Sequence, residues 1–416
     1  MNLILDVVFI FVLLGGYLIY RSRPFEFLMK NCELSYITLI YIAMAPYRGM
    51  MAKYTPFTDM LIDILLLMYF FYICFRSKIR ICYIHLIWIV CFMSASALYA
   101  ANKIGIENII KIQEVKFHLG MALLIIILTT SINSRNGIQQ IVNTFIVNSM
   151  IIALLDLITY MLYHQLMISS FLSNRNFISI YEYLGVLGSI YIYSQTKRKK
   201  LIVGIVIILA DLLLMKSSSV FLGILATMLV FLIRKMHVVI NDMYRLIMVL
   251  VIIAIFITVV VVATPKAFDN KYVSWVQNFR SSEDYTRTFI WEEALEIAKN
   301  NIVYGIGPDN FRDTRTNYQF PTHNDYLKVL TETGLFGMVG FILFVLGAIQ
   351  YTLMIQDRII KQYFFSAQLA LLIFILFHGY INYVVFWLVF CIPYWIVQVE
   401  RKGTMLEVGL FSRGDK

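Results

Sequence analysis

The sequence predicts an all-α polytopic membrane protein of about 12–13 transmembrane helices, with one long extracytoplasmic loop that contains short helices. Three observations support this class: 60% of the 416 residues are hydrophobic, only 14% are charged, and the mean hydropathy is +0.76. Soluble domains carry roughly a quarter charged residues, so this chain lacks the charge that a water-exposed surface requires. A lipid bilayer makes no such demand.

Apolar stretches long enough to approach the roughly 20 residues of a spanning helix give the candidate elements. They lie near residues 2–20, 34–46, 57–75, 81–100, 117–131, 141–163, 177–194, 201–215, 219–233, 246–263, 335–355, 363–380 and 383–399. This divides the chain into helices 1 to 10 (residues 1–263), a long loop (264–334), helices 11 to 13 (335–399) and a tail (400–416). The first stretch is expected to be a retained helix, since no small-residue cleavage pattern follows it.

Basic clusters set the orientation of these spans. Arg76 to Arg80, Lys197 to Lys200 and Arg234 to Arg245 all follow odd-numbered spans, so they lie on one side of the membrane. Assigning that side to the cytoplasm satisfies the positive-inside rule and places the N-terminus outside and the tail inside. If the short stretch 34–46 is not a span, the N-terminus lies inside instead. The net charge of +10 then reports topology, and no nucleic acid partner is expected.

The loop of residues 264–334 lies outside the cytoplasm in this topology. Ile290, Ala294, Ile297 and Ala298 repeat with helical spacing and predict an amphipathic helix that ends near Asn300. A glycine-rich turn follows over residues 304–311, and a second short helix is expected after Pro321-Thr322 and up to Thr333-Gly334. Long connections of this kind are usually functional.

Acidic residues within the predicted spans share one depth. All of them fall in the outer half of the membrane: Asp6, Asp63, Asp156, Glu182 and Asp211. Two interpretations stay open, because carboxylates near helix ends can reach the interface or pair with neighbours, and they can also line a polar cavity that opens to the outer leaflet.

Basic residues lie on the same outer side of the predicted topology. They are Arg48, Lys53, Arg175, Lys216, Arg280 and Arg287. Guanidinium groups bind phosphate bidentately and stay charged at physiological pH, so a lipid diphosphate would suit them. Taken one by one, such residues are more often solvated or headgroup-contacting charges than ligands, and only Arg280 and Arg287 gain weight from their place beside the amphipathic helix.

His323 is the strongest single candidate for acid–base chemistry. It is placed at the first turn of the second loop helix, where the positive potential of a helix N-terminus favours a neutral imidazole that can act as a base. A loop histidine satisfied by a capping hydrogen bond is the alternative. His378, near the outer end of the twelfth span, is the second histidine candidate. The loop has no Asp-x-Asp and no paired His or Cys, so neither a metal nor a cofactor is expected.

The motifs of the loop form an ordered set. In chain order they are Arg-x-x-x-Trp (Arg287, Trp291), a glycine-rich turn (Gly305, Gly307, Phe311), His323-Asn324, Tyr326-Leu327, and Glu-x-Gly-Leu-x-Gly (Glu332 to Gly337). This set resembles the bacterial O-antigen ligase and polysaccharide polymerase family. The resemblance covers roughly residues 170–340 by motif and the rest of the chain by topology alone.

The resemblance implies a metal-independent, inverting glycosyl transfer on the outer face of the bacterial cytoplasmic membrane, in O-antigen, capsule or exopolysaccharide assembly. The donor would be an oligosaccharide on undecaprenyl diphosphate, and the acceptor a hydroxyl of a glycan or glycolipid such as lipopolysaccharide. His323 looks like the family's proposed base, and Arg287 like its diphosphate-binding arginine. Asn324, Asn176, Asp211 and His378 are expected to support the site, beside Arg280, Lys216 and Arg175.

Two stretches depart from the family pattern. Asn174-Arg175-Asn176 stands where the family has Asn-Pro-Asn, and Lys216-Ser217-Ser218 stands where related proteins often show Ser-Arg. Lys216 would then supply the missing charge. The generic form of residues 323–327 favours a polymerase over a ligase. The competing hypothesis is a transporter or flippase of lipid-linked or anionic saccharides, which would need polar groups at several membrane depths.

Overall fold

A computed structural model describes residues 34–47, 56–164, 175–215, 217, 220, 223–225, 227, 283–311 and 321–411. The helices of this part are α1 (Tyr36–Met44), α2 (Pro56–Arg76), α3 (Tyr83–Lys103), α4 (Gln113–Ser131), α5 (Arg135–Tyr163), α6 (Arg175–Thr196), α7 (Lys200–Met215), α8 (Glu283–Asn300), α9 (Asp325–Met354), α10 (Arg358–Phe374) and α11 (Val384–Phe411). Short 3₁₀ turns follow α1 and α3, and no strand occurs among the described residues.

The predicted fold class is confirmed. Six of these helices are long and apolar enough to cross a membrane, namely α2, α3, α4, α5, α9 and the first part of α11, while α1 with its 3₁₀ turn and α7 are apolar but shorter. The chain is therefore an all-α, multi-pass membrane protein. The predicted spans near residues 2–20 and 246–263, and ten of the fifteen residues of 219–233, lie outside the described residues. The total of 12–13 spans stays a prediction.

Polar caps explain where several helices begin. Ser134 accepts a hydrogen bond from Asn136 N (3.1 Å), so α5 begins six residues earlier than the predicted 141. Asp357 accepts from Ile359 N (2.8 Å) and Ile360 N (3.1 Å), so α10 begins at Arg358 and not near residue 363. The predicted end of that span at residue 380 was also wrong, because the chain leaves the helix after Phe374 and turns.

An aromatic core joins α3, α4, α9 and α11. Trp88 stacks on Trp387 with ring centroids 5.4 Å apart, and His118 meets Trp387 edge to face at 5.4 Å. Phe341 and Phe344 close the cluster from α9, and all five rings are almost completely buried. Edge-to-face and offset arrangements of this kind stabilise beyond their buried area, so this core fixes α9, whose N-terminal residues follow His323.

The helix ends gather into two groups. At one end Arg80 donates to Ile132 O (3.0 Å), and Arg135 pairs with Glu400 (3.3 Å). At the other end Lys328 meets Glu114, and Tyr380 meets Asn176. We call the first the tail end and the second the loop end. The described helices thus alternate as the sequence predicted, while the assignment of the loop end to the extracytoplasmic side stays a prediction.

Candidate active site at the loop end

A glycine-rich turn is fastened to the first part of α9. Ile306 N donates to Thr331 O (3.0 Å) and Gly307 N donates to Glu332 O (2.9 Å). Gly305 has a φ of 70°, and a Cβ there would collide with the backbone of Glu332. The turn therefore approaches the helix closely only because no side chain stands between them.

The acidic residue of the Glu-x-Gly motif closes the same turn. The buried carboxylate of Glu332 accepts hydrogen bonds from Asp309 N (2.9 Å) and Phe311 N (3.3 Å). Two residues later, Gly334 has non-helical angles (φ 61°, ψ −157°) that break α9, and Leu335 N donates to Ile302 O (2.8 Å) across the break. The glycine-rich turn and the Glu-x-Gly motif thus build a scaffold, which consists of Gly305, Gly307, Glu332 and Gly334 with their hydrogen bonds.

Helix α8 covers this scaffold with a small core of its own. Ile290, Ala294 and Phe311 are buried together, and the half-buried Trp291 and Leu327 pack against them. Thr331 Oγ1 also donates to Ala294 O (3.1 Å). The predicted amphipathic helix is confirmed in its end at Asn300 and in its buried face. The predicted second loop helix is confirmed as the part of α9 that precedes Gly334.

His323 lies at the edge of this scaffold in a left-handed conformation, with a φ of 50°. Its predicted place in the first helical turn was wrong, because Asn324 is the N-cap and accepts from Leu327 N (3.1 Å), which leaves His323 one residue before the cap. Trp291 Nε1 donates to Thr322 O (2.9 Å), immediately before His323. The conformation of His323 is therefore held from both sides, by α8 and by the capped helix.

The start of α9 is bound to the turn between α10 and α11. The buried Asp325 carboxylate accepts from Tyr380 N and from Ile381 N (2.7 Å), and Asp325 N donates to Ile375 O (2.8 Å). Tyr326 Oη donates to Leu372 O (3.1 Å). This turn carries His378, so the structure brings the second histidine candidate to the same end of α9 as His323.

Asn176 joins the same region from α6. Its carbonyl oxygen accepts from Tyr380 Oη (3.0 Å), and the neighbouring Phe177 ring lies 6.5 Å from the His378 ring. Four candidates of the sequence therefore converge at the loop end: His323, Asn324, His378 and Asn176. They come from three segments that are far apart in the chain.

The predicted basic residues are only partly covered. Arg175 begins α6 beside Asn176, and Arg287 precedes Trp291 by four residues, one turn away on the same face of α8. The side chains of both arginines, and Lys216 and Arg280 altogether, lie outside the described residues. Their roles in binding a diphosphate stay predictions.

The acidic residues of the spans divide into two kinds. Asp156, Glu182 and Asp211, from three neighbouring helices, are completely buried, and Glu182 interacts electrostatically with the other two. Glu182 follows Asn176 by six residues on α6, which is about 9 Å along the helix towards the tail end. Asp211 interacts with Glu182, so it belongs to this acidic cluster and not to the group of residues around Asn176. Asp63 is exposed on α2, and Asp6 lies outside the described residues.

An ion pair that the sequence did not predict involves Lys328, five residues after His323. Lys328 Nζ is 2.9 Å from Glu114 Oε1 and 3.9 Å from Glu332 Oε2. The Asn382 side-chain amide, oriented to donate to Glu114 Oε1 (3.1 Å), accepts from Lys328 Nζ (2.9 Å). Glu114 and Lys328 are 214 residues apart, so no local pattern pairs them. The available signal was a charged residue shortly before each of two predicted spans, with Glu114 three residues before residue 117 and Lys328 seven residues before residue 335.

Comparison with known families gives one match. Residues 203–342 match the family model described as O-antigen ligase. This segment of 140 of the 416 residues is similar to that family. The matched segment runs from α7 to the part of α9 beyond Gly334, and so contains the glycine-rich turn, Glu332 and His323. The resemblance predicted from the motifs is confirmed, and no curated protein matches the chain.

The family match supports a membrane function of the ligase or polymerase type, with a lipid-linked glycan and an acceptor as substrates.

Among the described residues, no three His, Cys, Asp or Glu side chains are arranged to hold a metal ion.

Proposed function

We propose that the protein transfers a saccharide from undecaprenyl diphosphate to the hydroxyl of an acceptor sugar on the outer face of the cytoplasmic membrane, with His323 as the base. The observation that carries this proposal is the coincidence of the family match with the scaffold around His323. Three separate elements, α8, the N-cap of α9 and the turn at Tyr380, fix the backbone at this one position.

The reaction requires a base for the acceptor hydroxyl and groups that stabilise the negative charge on the departing diphosphate. His323 removes the proton from the acceptor hydroxyl, and the oxygen attacks the anomeric carbon as the bond to the diphosphate oxygen breaks on the opposite side. The configuration is therefore inverted, the diphosphate carries away the electron pair, and His323 holds the proton. Diphosphate is a good leaving group, so cationic side chains suffice to stabilise it without a metal.

Those cations are, in this proposal, Arg287, Arg280, Lys216 and Arg175. Arg287 and Arg175 are the best placed, because one lies a turn from Trp291 and the other begins the helix that carries Asn176. Lys216 follows α7 directly and would take the place of the family's arginine in the Ser-Arg stretch. Single neutral substitutions are expected to raise KM for the donor more than they lower kcat.

The base is tested with purified full-length protein, a lipid-diphosphate oligosaccharide donor and a soluble glycan acceptor. His323→Asn is the informative variant, because asparagine tolerates the left-handed backbone and cannot act as a base. We expect a loss of roughly 10²- to 10⁴-fold in kcat with unchanged thermal unfolding. His164 is a matched control, since it is also a left-handed histidine (φ 54°), at the C-cap of α5.

Normal transfer by His323→Asn, or an equal loss in His164→Asn, would contradict the assignment of the base. Movement of the labelled lipid across proteoliposomes without any joined product would instead favour a transporter. We favour polymerisation over ligation, and the same assay separates them: a polymerase extends a second lipid-diphosphate unit, whereas a ligase extends a lipopolysaccharide core.

A further inference from the structure

The ion pair between Lys328 and Glu114 is buried at the level where the loop meets the membrane helices. The side chains of Lys328 and Glu114 are 15% and 6% exposed, respectively. Burying two charges is costly unless they are paired and hydrogen-bonded, and here the Asn382 amide contacts both. A membrane protein has few reasons to keep such a pair unless it fixes a geometry.

The three carboxylates near Lys328 do not depend on it equally. Glu332 and Asp325 each accept two backbone N–H groups, which stabilise an anion without help from a lysine. Glu114 Oε1 has side-chain partners instead, at 2.9 Å from Lys328, 3.1 Å from Asn382 and 3.9 Å from His118. Lys328 is therefore matched to Glu114 in particular.

The helix that holds Lys328 is too short to be rigid alone. It runs from Asp325 to the break at Gly334, about two and a half turns, and an isolated helix of that length is marginal in water. Its contacts to α8 tie it to the loop, and its contact to Glu114 ties it to α4, which spans the membrane. Lys328 is one turn from the cap residue Asn324, so this tie acts close to His323.

We infer that Glu114 is a positioning residue that acts through Lys328 to hold His323 at a fixed place relative to the membrane helices. This inference rests on the proposed role of His323 as the base. Glu114 has no place in the motif set and lies outside the matched residues 203–342, so it extends the site to a helix from the first third of the chain.

Three variants test the inference. Lys328→Met strands the Glu114 carboxylate, and we expect kcat to fall roughly 10- to 100-fold with little change in KM for the donor, as a displacement of about 1 Å of a reacting group would cause. Glu114→Gln retains an oxygen that can accept from Lys328, so its kcat should lie between those of the wild type and Lys328→Met.

The double variant Glu114→Leu with Lys328→Met separates positioning from stability. Replacing a whole buried ion pair by apolar residues is often neutral for folding, whereas breaking it is not. We expect the double variant to recover thermal stability and to keep the low kcat of Lys328→Met. Recovery of both would mean that the pair is merely structural and would overturn the inference.

A control and a second readout complete the design. Arg135→Met breaks the ion pair with Glu400 at the tail end and should leave kcat unchanged. Hydrogen exchange at the amides of Tyr326 to Lys328 should accelerate in Lys328→Met and not in Arg135→Met. If the exchange rates in Lys328→Met are unchanged, the inference is wrong, whether or not transfer is detected. If the exchange is faster in Lys328→Met but the wild type transfers no saccharide, only the proposed function is contradicted.

Discussion

The two ends of the helical bundle use charge in opposite ways. At the tail end Arg135 is 51% exposed, although the Glu400 carboxylate beside it is only 5% exposed, and the half-buried Arg80 donates to carbonyl groups at the end of α4. At the loop end Lys328 and Glu114 are enclosed, and Asp325 and Glu332 accept backbone N–H groups inside the protein. Glu400 also accepts from Gln356 N (3.1 Å), so it keeps a partner when the exposed Arg135 is removed, whereas breaking a pair with two enclosed partners is costly. The loop end is thus the part of the molecule where polar contacts specify a geometry.

The largest effect is expected from Gly334→Ala. The residue would adopt a left-handed φ of 61°, and its Cβ would collide with the backbone of Val303. The conformational cost and the displaced turn together should lower the free energy of unfolding by at least about 3 kcal/mol. Thermal unfolding in detergent measures this loss. Gly204→Ala, within α7, is a contrast whose Cβ meets only the flexible Met150 side chain; equal losses would contradict the special role of Gly334.

Glu332→Ala should follow, with a loss of about 2–4 kcal/mol, because the Phe311 and Asp309 N–H groups lose their acceptor. Transfer activity should be lost with it. Glu332→Gln keeps one acceptor oxygen and is expected to lose about half as much stability. The same unfolding measurement checks both, and a stable Glu332→Ala variant would show that the carboxylate does not hold the turn.

Trp291→Phe removes one hydrogen bond, to Thr322 O, and keeps most of the ring. We expect about 1 kcal/mol of lost stability, together with a lower kcat, because Thr322 precedes His323. Trp395→Phe at the other end is the matched control, since that indole donates to Thr129 Oγ1 (2.9 Å). A similar fall in kcat for both variants would remove the link between Trp291 and His323.

The smallest effect is expected at the tail end. Arg135→Met should change the free energy of unfolding by less than about 1 kcal/mol. Adding salt should change the free energy of unfolding of the wild type by a similarly small amount. A loss as large as that of Lys328→Met, measured side by side, would abolish the distinction between the two ends.

Much of the fold could be predicted because hydropathy and helical spacing act locally. The spans that became α2 to α5, the buried face of α8 with Ile290 and Ala294, and the break near Gly334 were all predicted from short windows of sequence. Boundaries failed at polar caps such as Asp357, where one side chain decides the start of a helix.

The candidate site was less predictable, because its contacts join distant segments. His323 and Asn324 were identified by motif, yet the left-handed backbone of His323 and the cap at Asn324 depend on packing against Trp291 and Tyr380. Glu114 carried no motif, and its partner lies 214 residues away. Patterns in sequence thus indicated which residues matter for the chemistry, and tertiary contacts decide what holds them.

The break at Gly334 also determines the length of the part of α9 that can cross a membrane. An unbroken helix over Asp325–Met354 would measure about 45 Å, well beyond the roughly 30 Å of the hydrocarbon layer. From Leu335 to Met354 the helix measures about 30 Å and fits that layer. The part before the break can then take another angle, set by its contacts to α8, α4 and the turn after α10. In the proposed topology, the break at Gly334 would therefore place His323 in the zone where a lipid-borne diphosphate would lie.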